Sequence, residues 1–98
     1  MKFPRGIPKH MPTILGDVPV RLVKKLKDKK GTPLMGHWKM KDREICLCDG
    51  INSAAMRQAL WHEWLHAVLI DAGAQPTDNN QAEAVCDSIG SALAGLFT

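Results

Sequence analysis

The sequence predicts an α+β domain: a small antiparallel sheet built from the first half of the chain, packed against one long helix and a second, C-terminal helix. Three observations carry this. Short β-rich runs separated by turn residues end near residue 50, a stretch of about eighteen residues without Gly or Pro follows it, and a second run with helical apolar spacing closes the chain. Ninety-eight residues, 45% of them hydrophobic, suffice for one modest core, so residues 1–98 are read as a single domain.

Residues 1–17 hold Pro4, Pro8, Pro12, Gly6 and Gly16 and read as an irregular arm. "DVPVRLVKKL" supplies a strand around Val18 to Val23, and "KDKKGT" a turn. "LMGHWKM" and "EICLC" are two further extended runs divided by the charged turn "KDR". Each connection is too short for a crossover helix, so three antiparallel strands are expected. Asn52 or Ser53 can cap the first helix, and Gly73 with Pro76 beyond it ends it. The second helix is expected from about Asn80 to the C-terminus, with Ala82, Val85, Ile89, Leu93 and Leu96 on its apolar face.

The N-terminal stretch lacks the apolar core of a signal peptide, and no segment reaches the roughly 20 apolar residues of a membrane span. A cytoplasmic protein without a membrane partner is the expectation. Three cysteines, two of them in Cys46-Leu47-Cys48, suit free thiols better than a disulfide framework. Cys86 falls on the packed side of the second helix. The charge of +3 is mild, and "KKLKDKK" at 24–30 has no interleaved aromatic on which a base could stack, so a solvated turn is favoured over a nucleic-acid patch.

The chemistry is concentrated in "ALWHEWLHAVL", residues 59 to 69. Residues four apart on a helix share a face, so His62 and His66 can converge on one ion, and imidazole is a good Zn²⁺ ligand. Glu63 lies about 100° further round, where it can serve as general base toward an attacking water. The bland alternative is two half-buried histidines and a surface glutamate, but a charge amid this much apolar sequence is costly without a purpose. Trp61 and Trp64 are read as core rather than as platforms for a substrate.

Catalytic zinc takes three protein ligands. Glu83, in the first turn of the second helix, is the best-placed third ligand for one Zn²⁺ per chain, although with Asn80 as N-cap it could instead complete a capping box. Asp71 and Asp78 are weaker candidates, and His10 and His37 lack a helical frame. Asp87, one turn beyond Glu83, can accept a hydrogen bond from the far ring nitrogen of a ligating histidine, His62 above all, or can simply be solvated.

"HEWLH" followed by "EAVCD" resembles the arrangement of the gluzincins, the thermolysin-like metallopeptidases. More narrowly, the order "ILG", short strands, "REICL", "RQALWHEWLHAVL" and an acid-led helix resembles the small zincin-like domains of bacteriophages and bacteria related to the ImmA/IrrE-type peptidases, over roughly residues 14 to 97. The resemblance implies a zincin-like fold, a peptide or protein substrate, Glu83 as third ligand and Asp87 behind it; for a phage-encoded chain the setting is the host cytoplasm. There is no third histidine of the metzincin kind and no tyrosine to stabilise an oxyanion, which leaves His37, Arg43, Arg57 or a main-chain amide for that task. "GHWKM" could be an edge strand on which an extended peptide pairs. A zinc metallopeptidase is therefore expected; the alternatives are a degenerate zincin acting as a binding module and, further off, a small basic nucleic-acid binder.

Overall fold

The most apolar strand takes the middle of the sheet. In the computed structural model, which describes residues 3–97, four strands, β1 (His10–Met11), β2 (Val18–Val23), β3 (Gly36–Lys39) and β4 (Glu44–Cys48), precede two helices, α1 (Ser53–Asp71) and α2 (Asn79–Leu96). Met1, Lys2 and Thr98, the outermost residues of the expected arm and second helix, lie outside the described residues. The architecture is α+β, as expected.

The sheet corrects two expectations. Its order is β1-β2-β4-β3, and it is mixed: β3 and β4 pair antiparallel, but β2 and β4 pair parallel. Parallel neighbours arise here without a crossover helix because β2 leads first to β3, two places away, and β4 returns from β3 into the gap. Glu44, Ile45, Cys46 and Leu47 are all buried, and a strand covered on both faces gains most from two neighbours. The arm also is not wholly irregular, since His10–Met11 adds a short strand against Val18 and Pro19.

Ile45 and Leu47 face α1 and pack with Val18, Val20, Trp38, Met56, Leu60 and Ala67 in the main core. On the other face Glu44 is buried but paired with Arg21, and Cys46 lies beside it. Asn52 caps α1 by accepting from the Ala55 N–H at 2.8 Å. Its far end closes at Gly73, whose φ of +69° suits glycine: the Gly73 N–H bonds Ile70 O and the Ala74 N–H bonds Leu69 O.

Helix α2 starts one residue earlier than expected, capped by Asp78, which accepts from the Gln81 N–H at 3.0 Å. Glu83 therefore stands past the third helical position and is not part of a capping box. The buried stripe of α2 is Ala82, Cys86 and Gly90. The expected face coincides with it only in part: Ala82 is buried and Val85 and Leu93 are half-buried, but Ile89 is 45% and Leu96 74% exposed, because small side chains let the two helices approach closely while the larger ones are displaced to the flanks. Trp61 meets Trp64 edge to face and stacks on Phe97, and the Trp64 indole donates to Pro12 O; both are half-buried structural residues. Among the described residues no helix is long and apolar enough to cross a membrane.

Candidate metal centre

One helical turn of α1 and the first half of α2 face each other across the site. His62 and His66 project from the same side of α1, and Glu83 reaches over from α2. The distances are 3.2 Å between the two Nε2 atoms, 2.8 Å from His62 Nε2 to Glu83 Oε2, and 3.1 Å from His66 Nε2 to Glu83 Oε1. Bonds of about 2.05 Å to a tetrahedral zinc put neighbouring ligand atoms about 3.3 Å apart; the two imidazole nitrogens stand near that separation, and a Glu83 oxygen lies close to each of them, Oε2 by His62 and Oε1 by His66.

The outer partners define which ring nitrogens face inward. His62 Nδ1 lies 2.7 Å from Asp87 Oδ1, and His66 Nδ1 lies 2.7 Å from Gln75 Oε1. Both oxygens are acceptors, so both Nδ1 atoms donate, and in neutral imidazoles both Nε2 atoms then present lone pairs to the centre. Two lone pairs and a carboxylate at this spacing attract a positive charge, either a metal ion or a proton shared between His62 Nε2 and Glu83 Oε2. The donor set thus fits a divalent cation of the zinc type, with nitrogen and oxygen ligands and histidines held from behind.

Glu63 stands beside this triangle, not within it. Its Oε2 is 3.9 Å from His62 Nε2, while its Oε1 accepts from the Trp38 N–H of β3 at 3.0 Å. Gly36 makes that position possible: a Cβ there would sit 3.0 Å from Glu63 Cγ and 3.3 Å from Ala59 Cβ. Burial raises the Glu63 carboxyl above its ordinary range; His62, His66 and the Trp38 N–H pull it back, and Glu83 pushes it further up. A carboxylate of raised pKa is a better proton acceptor. Burial, reinforced by Glu83, Glu63 and Asp87, pushes the nearby Cys86 thiol to about 11, so it is held as a neutral thiol.

Two cavities flank the cluster. The larger, about 360 Å³, has Leu34, Met35, Ala55 and Ala59 as its apolar wall and reaches Glu63 and Glu83; the smaller, about 210 Å³, lies toward Trp38, Met40, His66 and Ile70. Strand β3 is the outer strand beside both, as the edge-strand expectation requires.

Of the expected site residues, His62, Glu63, His66, Glu83 and Asp87 are brought together. Arg43 and Arg57 are not. Arg43, with φ of +51°, forks onto Asp71 (3.0 and 2.8 Å), reaches Thr13 and lies over the Trp38 ring, which ties the β3–β4 turn to the end of α1. Arg57 lies on α1 near Gly6 and lines neither cavity. His37 contributes to both rims, but its register opposite Cys46 directs its side chain to the sheet face away from α1. Neither rival acid joins the cluster: Asp71 is bound by Arg43, and Asp78 caps α2. Gln75 was missed by the sequence reading. Its only signal is a polar side chain soon after the helix end, which does not distinguish it from any loop residue. Cys46 and Cys48 are free and share a sheet face, and His62, His66 and Glu83 form the one cation-sized group among the described residues.

No family model, no curated protein and no solved structure matches the chain.

Proposed function

We propose that the chain is a small zinc-dependent peptidase. The observation that carries this reading is the relation of Glu63 to the ligand group: donor atoms of two histidines and a glutamate within 4.8 Å of one another, with a largely buried carboxylate of raised pKa 3.9 Å from one of them and facing an edge strand.

His62, His66 and Glu83 would hold the metal, which when bound would supply Lewis acidity to a carbonyl and to the attacking water. Glu63 takes the proton from that water and returns it to the departing amine. Asp87 and Gln75 keep the Nε2 lone pairs of the histidines pointed inward. On β3 the Trp38 N–H is used by Glu63, so the outward-facing groups at Gly36 and the Trp38 C=O are left to pair with an extended substrate, next to the larger cavity.

A second reading, a zinc-binding module without turnover, is favoured by one observation. Arg43 and Arg57 both lie elsewhere and the chain has no tyrosine, so neither arginine nor a tyrosine stands by to stabilise an oxyanion. Cleavage of a peptide library by the zinc-loaded protein and by Glu63→Gln, with bound zinc quantified in both, separates the two. The peptidase reading expects equal zinc and a rate about 10²–10⁴-fold lower in Glu63→Gln. Equal cleavage by both removes Glu63 from the mechanism, and a parent that binds zinc but cleaves nothing favours the module.

A further inference from the structure

The metal ligands come from two helices, so the separation of α1 and α2 sets the size of the ligand triangle. The two helices come into close backbone contact where α2 carries Gly90. A Cβ at Gly90 would lie 3.1 Å from the backbone N of His62, 3.2 Å from its Cα and 3.4 Å from the carbonyl carbon of Trp61. Carbon contacts normally settle at about 3.5–4.0 Å. All three atoms are main chain, so no rotamer change relieves them; α1 and α2 must part. Glycine is also a poorer helix former than alanine, yet it occupies a buried interior position of α2.

Gly90 shares a face of α2 with Asp87 and Glu83, three and seven residues earlier. The chain that touches Gly90 is that of His62, the residue whose Nδ1 is held by Asp87 at 2.7 Å and whose Nε2 is held by Glu83 at 2.8 Å. Asp87, a short side chain, closes that distance only because the helices touch here. We propose that Gly90 is the positioning residue of the metal centre: the missing side chain brings the backbone of α2 against His62 and so sets the reach of Asp87 and Glu83. The inference rests on the zinc reading of the site. Gly95, on the same helix with open space around its Cα, is the internal contrast.

The test uses the full chain and zinc alone. Zinc affinity by chelator competition, and thermal melting of the zinc-free form, are measured for the parent, Gly95→Ala, Gly90→Ala, Asp87→Glu and the Gly90→Ala/Asp87→Glu pair. Gly95→Ala is expected to bind zinc like the parent. Gly90→Ala is expected to melt cooperatively without zinc but to bind it about 10–100-fold more weakly, the scale of a lost partner behind a ligand. The effects of Gly90→Ala and Asp87→Glu on zinc affinity should be less than additive in the pair, because both act through the same 2.7 Å contact, whereas general loss of stability gives additive effects. Undiminished zinc affinity in Gly90→Ala overturns the inference, as does loss of its cooperative zinc-free melting, which makes the contact a requirement of the fold instead. A parent that takes up no zinc overturns the metal reading itself, and the inference with it.

Discussion

Three carboxylates follow the helical histidine pair in the chain before Asp87, and each has a different neighbour. Glu83 meets the imidazoles, Asp78 meets the amide of Gln81, and Asp71 meets Arg43. Glu83→Ala should therefore weaken zinc binding far more than Asp78→Ala or Asp71→Ala, with Asp87→Ala and Gln75→Ala between them at about 10–100-fold, read by chelator competition. A Glu83→Ala protein that binds zinc like the parent would show that Glu83 is not a ligand. Asp71 carries a separate expectation about pH. Hydrogen bonds from Arg43, with its charge, hold the carboxyl below its ordinary range against the opposing effect of burial. The unfolded chain then binds the extra proton, so the stabilisation is complete above the unfolded value of about 4 and is lost as pH falls through the lower folded value. With chelator present, Asp71→Asn should melt below the parent at neutral pH, and the two curves should converge in acid. Curves that stay parallel would rule out this linkage.

At the level of elements, α1 carries His62 and His66 in its interior, between two capped ends. Asn52→Ala removes one bond to the Ala55 N–H and should cost about 1 kcal/mol, or about 4–8 °C of melting temperature in a domain this size. Zinc affinity of the folded protein should stay at the parent value, and a joint loss of affinity would mean that the cap also positions His62. The same helix was legible in the sequence because a cap, a long unbroken run and a terminal glycine agree with one another. His62, Glu63 and His66 were legible because helical spacing alone fixes their relative directions. The sheet was less so. Alternation and short connections identify "GHWK" and "EICLC" as strands but do not say which becomes central, since that depends on what covers each face after folding. Burial on both faces chose β4, and Gly36 and Lys39 suit β3 to the edge. The face of α2 was legible only in part, for a related reason: periodicity finds Ala82 and the larger apolar residues, whereas a close helix contact selects the smallest ones, Ala82, Cys86 and Gly90. Arg43 and Gln75 depend on long-range proximity or on a single loop conformation, for which no local pattern exists.

In the whole molecule, the two helices are attached by different means. Helix α1 closes a core with the sheet through Met56, Leu60 and Ala67 against Val18, Val20, Ile45 and Leu47. Helix α2 lays only Ala82, Cys86 and Gly90 fully against α1, while Ile89 and Leu96 remain exposed, so it offers little apolar surface to hold it in place. Polar contacts at Glu83, Asp87 and Ser91 add to the half-buried Val85 and Leu93 and to the Phe97–Trp61 stack, and two of those three polar residues belong to the metal cluster. Zinc that binds only the folded chain stabilises it in proportion to ligand excess, by about 2.7 kcal/mol at a hundred times the dissociation constant. For a domain of this length that corresponds to about 10–20 °C of melting temperature. A strong chelator should remove that increment, and it should do so unevenly. Amide hydrogen exchange in α2 should accelerate on chelation, whereas amides of β4 and the first half of α1 should keep most of their protection, because the core they close does not involve the metal. Uniform acceleration across all three elements would mean that the cluster stabilises the whole fold at once, and no change in α2 would mean that its small-residue contact with α1 suffices without the metal.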